Sequence, residues 1–122
     1  MKWIIEFYEK ENGEILVEEF LNSLPPKHRA KAIREIDLLE EYGIELSHPH
    51  TKNIKGEKYK GLWELRVQMA SDISRIFYFM SEGSRFILLH GFIKKAEETP
   101  IRELDTAKNR MEDYIRRCMV ND

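Results

Sequence analysis

Between residues 62 and 93 three apolar, β-rich runs follow one another, at 62–69, 74–81 and 85–93. Trp, Leu, Val, Ile, Phe and Tyr dominate them, the side chains that suit a pleated, half-buried surface. The breaks, Ala70-Ser71-Asp72 and Ser81-Glu82-Gly83-Ser84, carry turn chemistry. Breaks this short close hairpins but cannot carry a crossover to a parallel neighbour. The spacing therefore predicts a three-stranded antiparallel meander, and the rest of the chain has to pack around it. In the first run Trp63, Leu65, Val67 and Met69 alternate with Glu64, Arg66 and Gln68. One face of the sheet is expected to be core and the other exposed or functional.

Chemistry concentrates on that second face. Arg75 shares its strand face with Phe77 and Phe79, and His90 shares one with Leu88 and Phe92. With suitable hairpin registers, Arg66, Arg75 and His90 converge, and Lys94 and Lys95 follow at the end of the third run. Two guanidiniums, an imidazole and two ammoniums suit a phosphate: arginine grips its oxygens with a fork, and histidine moves protons near neutral pH. Each residue also has a plainer reading. Arg66 and Arg75 could form cross-strand ion pairs, His90 could be a packed and hydrogen-bonded side chain, and the lysines could be a solvated strand end.

The flanking segments supply helices. Residues 3–8 read as a first strand, closed by the turn Glu11-Asn12-Gly13-Glu14, where Asn-Gly accepts positive φ. Leu16, Phe20 and Leu24 space a short helix over 15–24. Pro25 and Pro26 end it and start a second helix over 26–42, with Ala30, Ile33, Ile36, Leu39 and Tyr42 as its apolar face and Gly43 as its stop. This hairpin is expected to cover the apolar sheet face. Residues 44–61 read as a loop, with Ile54 as an anchor or short strand. Lys52, Lys55, Lys58 and Lys60 run through it beside Tyr59, an arrangement that fits a phosphate-tracking arm with a ring to stack on a base. Glu97-Glu98-Thr99-Pro100 leads into a last helix with Thr99 as N-cap and Pro100 at its first turn. Ile101, Leu104, Met111, Tyr114, Ile115 and Cys118 line that helix, and Lys108, Arg110, Arg116 and Arg117 form its solvated face.

A chain of 122 residues suits one domain. The single Cys118 excludes an internal disulfide and a cysteine-based metal site. The pair His48 and His50 around Pro49 lacks the partners of a metal site, so no metal and no cofactor are expected. No apolar run approaches a membrane span, and the start reads as no signal peptide, so a cytoplasmic protein is expected. The formal net charge is −2. It is unevenly placed: residues 1–51 carry 6 basic and 11 acidic side chains, and residues 52–122 carry 14 and 11. A localised basic surface on an acidic protein fits a phosphate site better than a general nucleic-acid coat.

The strings LWELR, SRIFYF and HGFIKKAEETP, with a closing helix of spaced Arg and Lys, resemble the RelE/ParE superfamily of toxins, closest to the phage-like HigB branch of type II toxin–antitoxin modules. The resemblance covers about residues 55–117 and extends to the N-terminal half by layout. It implies an α+β fold: a first strand and a helical hairpin packed on a twisted antiparallel sheet, then a C-terminal helix, in one domain over 1–122. It implies an mRNA endoribonuclease that acts on the translating ribosome without metal and so inhibits growth. Arg66 and Arg75 would stabilise charge on the scissile phosphate, His90 would transfer a proton, and Lys94 or Lys95 would orient the backbone or assist the leaving oxygen. The strand-end motif holds no clear tyrosine base, so the base is left open. The implied partners are mRNA on the ribosome and a helix-turn-helix antitoxin of the HigA type, through which alone operator DNA would be bound. Exposed apolar residues of the N-terminal helices would be the docking surface. Two other readings stay open: a ParE-like poison of DNA gyrase, and a non-enzymatic domain that grips nucleic acid or protein through the basic sheet.

Overall fold

A computed structural model describes residues 3–70, 72–95 and 98–120. The expected turn residue Ser71 and the Glu97 of the acidic lead-in lie outside the described residues. The chain runs β1 (Ile4–Phe7), α1 (Leu16–Ser23), α2 (Pro26–Tyr42), β2 (Thr51–Asn53), β3 (Trp63–Met69), β4 (Asp72–Ser81), β5 (Arg85–Lys94) and α3 (Ile101–Val120). The strands form one sheet in the order β1-β5-β4-β3-β2. The meander is there as its short breaks require, with β3, β4 and β5 antiparallel in turn. β1, the first element, pairs in parallel with the outer edge of β5, which the chain reaches only after α1, α2 and the other strands. The fold is α+β with a mixed sheet, two N-terminal helices and a C-terminal helix.

Local chemistry sets the helix ends. Asn12 Oδ1 accepts the Glu14 backbone N–H at 3.0 Å, and Gly13 takes φ 92°, which together reverse the chain before α1. Pro26 opens α2, where a missing N–H costs nothing. Gly43 ends it at φ 56°. The Trp3 ring lies so close there that an added Cβ would come within 1.9 Å of it.

Both faces of the sheet carry a core cluster, so the face expected to be exposed or functional is partly covered as well. Val17, Leu21 and Leu24 of the α1 segment, with Ala32, Ile36 and Leu39 of α2, bury against Leu65, Val67, Ile76, Tyr78, Phe86 and Leu88. On the other side α3 covers Phe77, Phe79, Ile87 and Leu89 with Ala107 and Met111. Four strands were expected before the last helix and five are present, because residues 51–53 of the presumed loop pair with β3. Three residues are too few to show an alternation in sequence. The apolar face of α2 is also turned from the expected one. Ala30, Ile33 and Tyr42 are exposed, whereas His28 and Glu35 are buried. His28 Nε2 lies 3.0 Å from Ser74 Oγ, and Glu35 Oε1 lies 2.7 Å from His50 Nδ1. Partners from β4 and the 44–50 segment reach His28 Nε2 and one Glu35 oxygen, Oε1, while Glu35 Oε2 is buried without a hydrogen bond, and no hydrophobic pattern can show that. On α3, Ile101 and Ile115 are likewise exposed, Cys118 is half-buried, and Ala107 is the residue at the core. Among the described residues no helix is long and apolar enough to cross a membrane.

Candidate functional site

Sheet register decides which basic residues meet. Across β2, β3, β4 and β5, Lys52 lies opposite Glu64, Glu64 opposite Phe77, and Phe77 opposite His90. One row further, Arg66 faces Arg75 and Arg75 faces Phe92; beyond that, Ile73 faces Lys94. Paired residues share a face. Lys52, Arg66, Arg75 and Lys94, each from a different strand, therefore belong to the α3 side of the sheet, with Glu64 among them.

Their environments differ. Arg75 and Glu64 are buried and form an ion pair through Nε and Oε2. Of the two cross-strand ion pairs considered for Arg66 and Arg75, the structure shows that of Arg75. Burial pulls the Arg75 guanidinium below its usual value, Glu64 opposes this, and the Arg66 charge adds to it. Arg66 is half-buried, and among the described residues it makes no ion pair. Lys94 is also half-buried. Burial first, then the charge of Arg75, with Lys52 and Arg66 behind, holds its ammonium below the usual lysine value against an opposing pull from Glu64. These cations are crowded around one carboxylate, so an arriving anion relieves their repulsion. A cleft of about 620 Å³ opens here, lined by Lys52, Lys55, Glu64, Lys94, Glu98 and Thr99 among others. Lys95 lies beyond the end of β5 and is exposed.

His90 belongs to this face but has neither ring nitrogen free. Arg110 Nη1 is 3.1 Å from Nδ1, and Glu103 Oε1 is 3.1 Å from Nε2. Arginine can only donate, so Nδ1 accepts and the proton resides on Nε2, which donates to Glu103. Burial, followed by the Arg110 charge, lowers the pKa of His90 despite Glu103. The ring is stacked near Phe77 and Phe92, at 6.4 and 5.8 Å between centroids. These contacts match the packed, hydrogen-bonded reading of His90 and fasten β5 to α3. The fastening has a backbone cause. The β4–β5 register shifts at Phe77/Tyr78, which leaves Leu89 as the extra residue of a bulge. Arg110 Nη1 donates to the Leu89 carbonyl at 2.9 Å as well as to His90.

The lysine arm divides in two. Lys52 and Lys55 line the cleft. Tyr59 is half-buried against the α3 cluster and donates its hydroxyl to Asp105 at 2.7 Å, while Lys58 Nζ is 3.3 Å from the same carboxylate. The Tyr59 hydroxyl therefore anchors the arm to α3. Lys60 is exposed. Two arginines of the presumed solvated face of α3 also turn inward: Arg110 as above, and Arg117, which pairs with Asp113 at 2.9 Å and lies over the Tyr8 ring.

Sequence reasoning passed over Glu64, Glu103 and Arg110. Their signal was present: Glu64 alternates with Arg66, and Glu103, Ala107 and Arg110 recur at four and three residues, one face of a helix.

Comparison with known proteins gives one family. The model of the phage-derived protein Gp49-like family (DUF891) matches residues 19–112, most of the chain, including α2, the whole meander and the part of α3 that packs on it. No curated protein matches the chain.

Proposed function

The chain belongs to the phage-derived Gp49-like family, associated with the toxins of toxin–antitoxin modules, and on that premise we propose that it is a growth-arresting endoribonuclease that cuts mRNA on the ribosome. The observation that supports this reading best is the meeting of Lys52, Arg66, Arg75 and Lys94 from four strands around Glu64, beside an open cleft. An RNA backbone phosphate is the ligand such a site fits: it is anionic, and a pentavalent phosphorane carries still more charge to stabilise.

The reaction is transesterification. The ribose 2′-oxygen bonds to phosphorus, the P–O5′ bond breaks, and a 2′,3′-cyclic phosphate and a 5′-hydroxyl result. Arg66 and Lys52 hold the phosphate oxygens. Lys94, with its lowered pKa, gives the departing 5′-oxygen its proton. Glu64, the carboxylate of the cluster, receives the 2′-hydroxyl proton, and Arg75 holds Glu64 in place. His90 positions β5 against α3. Lys55 and Lys60 extend the phosphate track, and Lys95 adds charge at the strand end. An antitoxin is the partner, and one of the HigA type fits the phage-like branch that the sequence resembles.

The test is induced expression in a bacterial host with mapping of mRNA 5′ ends, for wild type beside Arg66→Ala and Lys94→Ala. Wild type is expected to stop growth and create new 5′ ends within translated codons. Each variant should lose about 10²–10³-fold in cleavage, the scale of removing one group that stabilises transition-state charge. Intact mRNA with broken DNA would instead favour gyrase poisoning, and undiminished cleavage by both variants would overturn the assigned roles.

A further inference from the structure

The α1–α2 side of the sheet carries a second feature, remote from the basic strip. An apolar cavity of about 160 Å³ opens beside the Gly43–Glu45 turn, lined by Ile44, Leu46, Trp63, Tyr78, Met80 and Phe86. Its mouth is unusually apolar for a free surface: Ile44 is 66% exposed, Met80 44% and Trp63 38%, and Tyr42, next in the chain, is 49% exposed. Contiguous exposed apolar groups of this kind mark interaction sites. An apolar cavity of roughly 150 Å³ holds a benzene ring, so this one accepts a single large side chain.

Charge restricts what can dock there. Glu41 and Glu45, both exposed, bracket the Tyr42–Ile44 segment, and no basic residue lines the cavity. A nucleic-acid backbone would be repelled. A second copy of this chain in a two-fold contact would place the same patch on both sides, carboxylates facing carboxylates. The fitting occupant is a protein segment with one large apolar side chain next to Lys or Arg.

We propose that this cavity is the docking site of the antitoxin, which inserts an apolar anchor flanked by basic residues; that identity of the partner rests on the toxin reading above. The anchor fills the space between Ile44, Trp63 and Met80, and its cations pair with Glu41 and Glu45. The basic cleft on the opposite sheet face takes no part.

The test uses the full chain and the protein encoded beside its gene. Dissociation constants are measured for wild type, Ile44→Lys and Glu45→Lys, with circular dichroism to check folding. Glu45 is an exposed turn residue, so its variant serves where Ile44→Lys fails to fold. Both variants are expected to bind at least tenfold more weakly, and Glu45→Lys to flatten the salt dependence. In cells both should still arrest growth alone and no longer be rescued by the co-expressed partner. Wild-type affinity in both variants would overturn the docking site and leave the toxin reading standing. A wild-type chain that neither binds the neighbouring protein nor arrests growth would bring down the toxin reading, and the partner assignment with it.

Discussion

Replacing Glu64 by glutamine keeps its shape and removes its charge, which leaves the Arg75 guanidinium buried without a counter-charge. The side chains are 4% and 5% exposed for Arg75 and Glu64, so solvent can screen little of the loss. Breaking one partner out of a buried pair costs about 3–5 kcal/mol. That is a large share of the ~5–15 kcal/mol that holds a domain of this size together. With a urea m-value of about 2 kcal/mol/M, the unfolding midpoint should fall by roughly 1.5–2.5 M. Equilibrium urea unfolding near neutral pH, followed by tryptophan fluorescence and circular dichroism, measures it. The double replacement Glu64→Leu with Arg75→Met should regain most of the loss, because two apolar side chains leave no charge unpaired. A Glu64→Gln protein within about 0.5 kcal/mol of wild type would place the pair among solvent-screened surface bridges and refute the reasoning. It would also remove the reason for treating Arg75 as the support of Glu64 in the cleft.

The His90 imidazole should titrate below its usual value in the folded protein, followed by NMR of its ring protons. Glu103→Gln should lower the midpoint further and Arg110→Gln should raise it. Because the folded value lies below the unfolded one of about 6.5, neutral His90 contributes its stability in full above that pH and loses it as pH falls toward the folded value. An unshifted midpoint would contradict the burial. Gly91→Ala places a Cβ within 2.4 Å of the Phe20 ring, where α1 crosses β5. It should destabilise by about 1–3 kcal/mol, the scale of overpacking. Adding Phe20→Leu should relieve part of that strain, and an additive double variant would show that the two residues do not meet.

Much of the architecture was legible because it rests on local rules. Short polar breaks between β-rich runs can close only into hairpins, so β3, β4 and β5 followed from the sequence. Pro26 and Gly43 marked both ends of α2 for steric reasons that need no neighbour. Alternation made a shared face for Arg66 and Arg75 conceivable, and the hairpin registers decided that they share it with Lys94. What stayed hidden depends on partners distant in the chain. Glu35 and His28 read as surface residues until His50 and Ser74 are brought to them, which is why the buried face of α2 was misplaced. Strand β2 is too short to show a period and exists because β3 offers an edge to pair with. The partners of His90 could not be named because Arg110 and Glu103 reach it from α3, across a bulge in a register that no single strand encodes. Sequence by itself determined where the strands turn and which side chains alternate. Tertiary structure alone decided which charges are neutralised and which are left facing the cleft, because pairing a buried charge takes a partner that only the packed chain delivers.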